Sequence, residues 1–140
     1  MNSFNKLATK EKVNIYDLEE KPIVCVQGLG FVGMAMAIAV AYSRDEAGNP
    51  FFNVIGVELP TESGLFKVQS INNGNLPIKS NDTFLKQAFQ DVSNQSNLLA
   101  TTSHEAYALA DYIIVNVGLD LSYNDGIPSV DFNSFLSYPA

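Results

Sequence analysis

Residues 24 to 41 read VCVQGLGFVGMAMAIAVA. Ile23 to Val26 is apolar and mostly β-branched, the composition of a strand buried on both faces. Gly28, Gly30 and Gly33 follow as G-x-G-x-x-G, and Val32 to Tyr42, rich in Ala and Met, reads as a helix buried on most of its surface. Backbone stripped of side chains between a strand and a helix suits something that must approach the chain closely. The first glycine permits a tight turn, the second admits a diphosphate to the backbone, and the third lets helix and strand pack together. The helix start then offers free N–H groups and the positive end of its dipole to an anion.

An acid supports this reading. Phe52 to Val57 is a second apolar strand ending at Glu58, 25 residues beyond Gly33, against a usual spacing of about 20. A carboxylate there can accept hydrogen bonds from the adenosine ribose hydroxyls of a dinucleotide. It also repels a ribose 2′-phosphate, and no Arg follows nearby, so NAD is expected over NADP. The plainer alternative is a tight βα turn with a solvated acid at a strand end. FAD and S-adenosylmethionine can also use such a loop.

The alternation continues along the chain. Arg44 to Pro50 is a turn, and Thr61 caps a helix running to about Asn72, stopped by Asn73-Gly74-Asn75. Asn81 or Asp82 caps a helix to about Phe89, and Asn97 to Thr101 is a short strand. Thr102 to Glu105 has the spacing of a capping box, opening a helix to Ala110. Tyr112 to Val117 is the clearest strand; the remainder reads as loop, with a helix starting near Val130 and no hairpin signal. Strands alternating with helices predict an α/β fold: a Rossmann-type, doubly wound parallel sheet in three αβα layers, one domain over residues 22–140. Residues 1–21 are polar and mixed, an N-terminal extension with weak helical character from Lys6 to Leu18.

Composition narrows the function. The chain has 140 residues, 46% hydrophobic and 16% charged, with 8 basic against 15 acidic residues for a net charge of −7. That balance leaves no basic cluster for the nucleic-acid backbone. The run Ile23 to Tyr42 is long enough to cross a bilayer, but its three glycines argue for a buried strand-turn-helix instead. Cys25 is the only cysteine, which fits a reducing, cytoplasmic setting. Inside a strand it reads as a small buried hydrophobe. The single histidine, His104, reads as solvated, and no residues have metal-ligand spacing.

The segments VCVQGLGFVGMAMAIAVA, GVEL, KVQSINNGNLPI and ADYIIVNV, in that order, resemble the NAD-binding domain of the UDP-glucose/GDP-mannose dehydrogenase family. The likeness covers about residues 22 to 121, and INNGNLPI is its most specific part. The family oxidises the C6 hydroxymethyl of a nucleotide sugar to a carboxylate, using two NAD and a covalent thiohemiacetal, in polysaccharide biosynthesis. Carried over, the resemblance places the diphosphate on the backbone of Gly30, Phe31 and Val32, between Gly28 and Gly33, and the adenosine ribose on Glu58. Thr101 or Thr102 matches a threonine on the adenosine side, and Val117, closing the fourth strand, completes the cofactor-binding set. Lys67 precedes Val68 as in the family's K-V-x-x-L-N-x-G pattern, but about four residues late.

Two positions depart from the family. Ser80 stands where a Glu is usual after Pro-Ile, and Leu119-Asp120 replaces a Thr-Pro after the fourth strand. The family's nucleophilic cysteine lies in a later domain, and Cys25 does not match it, so no catalytic residue is expected here. The expectation is a cofactor domain, excised or truncated, that lacks the central and substrate domains. It binds NAD without turnover; a nucleotide sugar is the partner of the full-length enzyme, and a homo-oligomer is compatible with the family. The competing readings are a regulatory NAD-sensing domain of the potassium-transport type and the cofactor domain of a 3-hydroxyacid dehydrogenase.

Overall fold

The computed structural model describes residues 21–116, 118–133 and 136. The expected extension and its helical stretch at Lys6 to Leu18 lie outside the described residues, as does Val117. Four strands, β1 (Ile23–Gln27), β2 (Asn53–Val57), β3 (Leu98–Thr101) and β4 (Tyr112–Val115), form one parallel sheet in the order β3-β2-β1-β4. In register, Cys25 lies opposite Ile55 on β2 and Ile113 on β4. The chain therefore leaves the central strand β1, builds outward through β2 and β3, and returns to β1's other side with β4. That reversal is the switch point at which doubly wound sheets bind ligands, beyond the C-terminal ends of the strands.

Alternation along the strands divides the core. Val24, Val26, Val54, Leu98 and Ala100 face helices α1 (Phe31–Tyr42), α2 (Glu62–Asn72) and α3 (Thr83–Gln95). Cys25, Ile55, Val57 and Leu99 face the short helix α4 (Glu105–Leu109) through Ala106. The αβα layering is present but uneven. On the α4 side, Ile113 and Val115 of β4 remain about half exposed.

Side chains at the element ends explain where the helices start and stop. Thr61 Oγ1 accepts the Gly64 amide at 3.0 Å, and Asp82 Oδ1 accepts those of Phe84 and Leu85 at 2.9 and 3.1 Å, so both caps read from the sequence form. Arg44 donates to the Ala41 and Ser43 carbonyls at 2.7 and 3.0 Å, supplying a cation at the C-terminal end of α1. Asn72, first asparagine of INNGNLPI, clasps the edge strand β3. Its Nδ2 donates to the Ala100 carbonyl at 2.9 Å, and its Oδ1 accepts the Ala100 amide at 2.8 Å. An asparagine amide thus supplies the donor and acceptor that a further strand would have offered.

Four expectations are corrected. The stretch read as loop with a helix starting near Val130 first forms an antiparallel hairpin, β5 (Asp120–Asn124) and β6 (Ile127–Asp131), and the helical turn comes after it, the Leu136 amide donating to the Phe132 carbonyl at 2.9 Å. Its two-residue turn has Asp125 and Gly126 at φ 52° and 77°, the type I′ geometry that Asn-Asp-Gly favours. The Thr102–Glu105 capping box does not form: Ser103 Oγ accepts the Glu105 amide at 3.3 Å, and α4 starts after His104 and ends at Leu109. Helix α3 runs past Phe89 to Gln95 because Val92 gives it one more buried turn. Finally, α1 is not buried on most of its surface. Met34, Ala37, Ile38 and Ala41 are buried, whereas Phe31 and Val32 are 58% and 57% exposed at its first turn.

Candidate functional site

The glycine turn between β1 and α1 is anchored at three points. The Gly28 amide donates to the Val57 carbonyl at 2.9 Å, tying the turn to the end of β2. The Leu29 side chain is fully buried and lies where a side chain on Gly56 would stand; an added Cβ there would come within 2.8 Å of its Cδ atoms. Burying a leucine contributes about 1.5–3 kcal/mol, so the residue between the first two glycines pins the turn to the sheet. The Leu29 amide donates to Glu58 Oε2 at 3.0 Å.

The three glycines then separate by function. Gly28 has φ +88°, and a Cβ there would meet the Asn116 carbonyl oxygen. At Gly33 a Cβ would meet the Gly28 carbonyl oxygen. Both are required by the protein's own packing. Gly30 differs: its φ of −69° suits any residue, and a Cβ would meet nothing within 4 Å. The fold does not need a glycine there, and the space beside it is open. Among the described residues no acceptor meets the amides of Gly30, Phe31 and Val32; the first helical bond is Met34 N–H to the Gly30 carbonyl at 2.9 Å. Unpaired donors at a helix start, beside a position bare of side chain, form a ledge of the kind that suits an anion.

Glu58 borders this ledge and is only 9% exposed. Besides Leu29, it accepts the Leu59 amide on Oε1 at 3.1 Å and pairs with Lys67 Nζ at 3.3 Å. Its own amide donates to the Thr101 carbonyl at 3.1 Å, so the ends of β2 and β3 meet here and Thr102 follows directly. The structure thus gathers Gly28, Gly30, Phe31, Val32, Gly33 and Glu58 around one turn, with Thr102 one residue from the group. Sequence reading missed the Leu29 anchor and the Lys67 partnership. An i, i+9 spacing from a strand end to a helix carries no local signal, and only the fold brings the two charges together.

The remaining candidates lie elsewhere. Ser80 and Lys79 line a cleft of about 560 Å³ between the α2–α3 connection and α3, which includes none of the glycine-turn residues. Leu119 is 41% exposed just before β5. Cys25 is fully buried, its thiol donates to the Ala106 carbonyl at 3.2 Å, and burial pushes its pKa up to about 12. A thiol held neutral and out of reach is no nucleophile. His104 stacks on Tyr107 with ring centroids 6.5 Å apart. Among the described residues no three His, Cys, Asp or Glu side chains cluster as a metal site, and no helix is long and apolar enough to cross a membrane.

The chain matches no protein-family model and no curated protein. Solved structures do match. The NDP-N-acetyl-D-galactosaminuronic acid dehydrogenase of Methanosarcina mazei Go1 superposes on 97% of this chain with a TM-score of 0.67 at 18% identity. The fold is that of the nucleotide-sugar dehydrogenases. The GDP-mannose dehydrogenase of Pseudomonas aeruginosa matches 81% of the chain at 26% identity (TM-score 0.58). The UDP-glucose dehydrogenase of the hyperthermophilic archaeon Pyrobaculum islandicum matches 87% at 23% identity (TM-score 0.61). The chain spans about a quarter of the length of these nucleotide-sugar dehydrogenases, 26%, 22% and 25% respectively. The resemblance stated from VCVQGLGFVGMAMAIAVA and INNGNLPI is therefore matched in three dimensions by dehydrogenases of UDP-, GDP- and NDP-sugars.

Proposed function

We propose that this chain is the NAD-binding part, residues 22–140, of a nucleotide-sugar 6-dehydrogenase, an enzyme that oxidises the C6 hydroxymethyl of a UDP- or GDP-sugar to a uronate. The observation that carries the reading is the ledge at Gly30: amides without acceptors beside a position where a side chain would meet only open space. Its donor set fits a dinucleotide. The amides of Gly30, Phe31 and Val32 bind the diphosphate, the α1 dipole adds a partial positive charge, and Glu58 stands at the adenosine ribose with Thr102 on the same side. Val117, following β4, belongs to the same proposed site. When bound, NAD supplies the hydride acceptor; the chain's own part is to hold and orient it.

No catalytic residue is assigned within these 140 residues, since Cys25 is sealed in the sheet. The nucleotide sugar is the partner of a longer protein, and a single cysteine suits a reducing, cytoplasmic setting. The isolated chain is expected to bind NAD(H) without turnover. Titrating NADH fluorescence against the purified chain tests this: saturable enhancement supports the reading, and an unchanged signal up to millimolar chain or ligand refutes it.

A further inference from the structure

Glu58 does not meet the ribose as a bare carboxylate. An ionised carboxylate offers about four lone-pair sites. Three are already taken, by the Leu29 amide at 3.0 Å, the Leu59 amide at 3.1 Å and the Lys67 ammonium at 3.3 Å. The two amides are fixed by the backbone, and Glu58 Cγ lies 3.0 Å from where a side chain on Gly64 would begin, so the acid is wedged between α2 and the glycine turn. Lys67 is the movable partner. Its side chain is 26% exposed against 9% for Glu58, so the member of the pair that faces solvent is the cation.

Two consequences follow. Recognition of both ribose hydroxyls by Glu58 needs two acceptor sites, and only one remains while Lys67 stays in place. A group carrying negative charge on the 2′-oxygen, approaching Glu58 from solvent, would find an ammonium 3.3 Å from the carboxylate and more exposed than it. Resting on the cofactor reading above, we infer that Lys67 sets the 2′-selectivity of this site and lets it accept a 2′-phosphorylated dinucleotide alongside NAD. Glu58 read alone repels a 2′-phosphate; Glu58 screened by Lys67 does not. The ammonium is a compact charge on a four-carbon stem, able to turn from carboxylate to phosphate without moving the helix.

The experiment compares NADH and NADPH binding to the 140-residue chain at low and high salt, for the wild type, Lys67→Gln and Lys67→Arg. In the wild type the two dissociation constants are expected within about tenfold of each other at low salt, with NADPH the more salt-sensitive. Lys67→Gln should weaken NADPH by about tenfold or more relative to NADH, and Lys67→Arg should restore the wild-type ratio. Lys67 is partly exposed, and circular dichroism melts would check that the variants fold alike. If NADH binds and Lys67→Gln leaves the NADPH/NADH ratio unchanged, the inference is overturned while the cofactor reading stands. If neither dinucleotide binds any of the three proteins, both fall.

Discussion

Gly30 and Gly33 belong to one motif, yet the geometry predicts opposite consequences for the same substitution. At Gly33 a Cβ would overlap the Gly28 carbonyl oxygen, backbone that cannot yield without moving α1 away from the turn. Overpacking of this kind costs about 1–3 kcal/mol, and at this chain length each kcal/mol lowers the melting temperature by about 3 °C. Gly33→Ala should therefore melt about 3–9 °C below wild type. At Gly30 the added methyl points into open space from a φ of −69°. A poorer N-cap costs about 0.5–1 kcal/mol, and restricting the unfolded chain returns about 0.4–1 kcal/mol. Gly30→Ala should thus melt within about 2 °C of wild type. Its methyl, however, occupies the surface on which a diphosphate would rest, so NADH affinity should fall by tenfold or more, about 1.4 kcal/mol. Thermal melts by circular dichroism and NADH titrations on both variants are enough. A Gly30→Ala protein that binds NADH as well as wild type, or melts as low as Gly33→Ala, refutes the division of labour among the glycines.

Other expectations are as direct. Glu58→Ala should weaken NAD more than NADP in paired titrations; equal losses would remove the acid from the ribose. Asn72→Ala severs both bonds to Ala100 and should lower stability by about 1–2 kcal/mol in urea unfolding, with m unchanged. A cost near zero would mean that the clasp on β3 is ornamental. Cys25 should resist a thiol reagent in the native chain and react fully once unfolded. Because burial raises its pKa to about 12 from an ordinary 9.0, the folded state keeps a proton that the unfolded state releases. Stability should hold below pH 9 and decline as pH rises from 9 towards 12. A Cys25→Ala variant with the same alkaline decline would assign it to other groups.

Local signals carried most of the fold. The β-branched run of β1, the glycines and the Ala-rich α1 gave one strand-turn-helix unit because strand burial and helix packing both demand those residues in that order. Thr61 and Asp82 were legible as caps for the same reason, since capping depends on a few adjacent residues. The failures have physical causes too. Asn124-Asp125-Gly126 is a hairpin signal, but it lies in a segment that otherwise reads as loop with a helix starting near Val130. The Thr102–Glu105 spacing suggested a capping box, but Thr101 Oγ1 accepts the Ser103 amide at 3.0 Å and the helix starts later. Lys67 on Glu58, Leu29 on Gly56 and Asn72 on Ala100 are tertiary contacts. No helix or strand period links the partners of any of these pairs, so the ion pair at Glu58 and the anchoring of the glycine turn became visible only in the folded chain.

The most direct test of the ledge is an amide-resolved NMR titration of the ¹⁵N-labelled chain with NADH. Saturable shifts should concentrate at Gly30, Phe31 and Val32, with smaller ones at Leu29 and Glu58. Shifts centred on the cleft at Lys79 and Ser80, or none that saturate, would contradict the assignment of these backbone amides to a diphosphate.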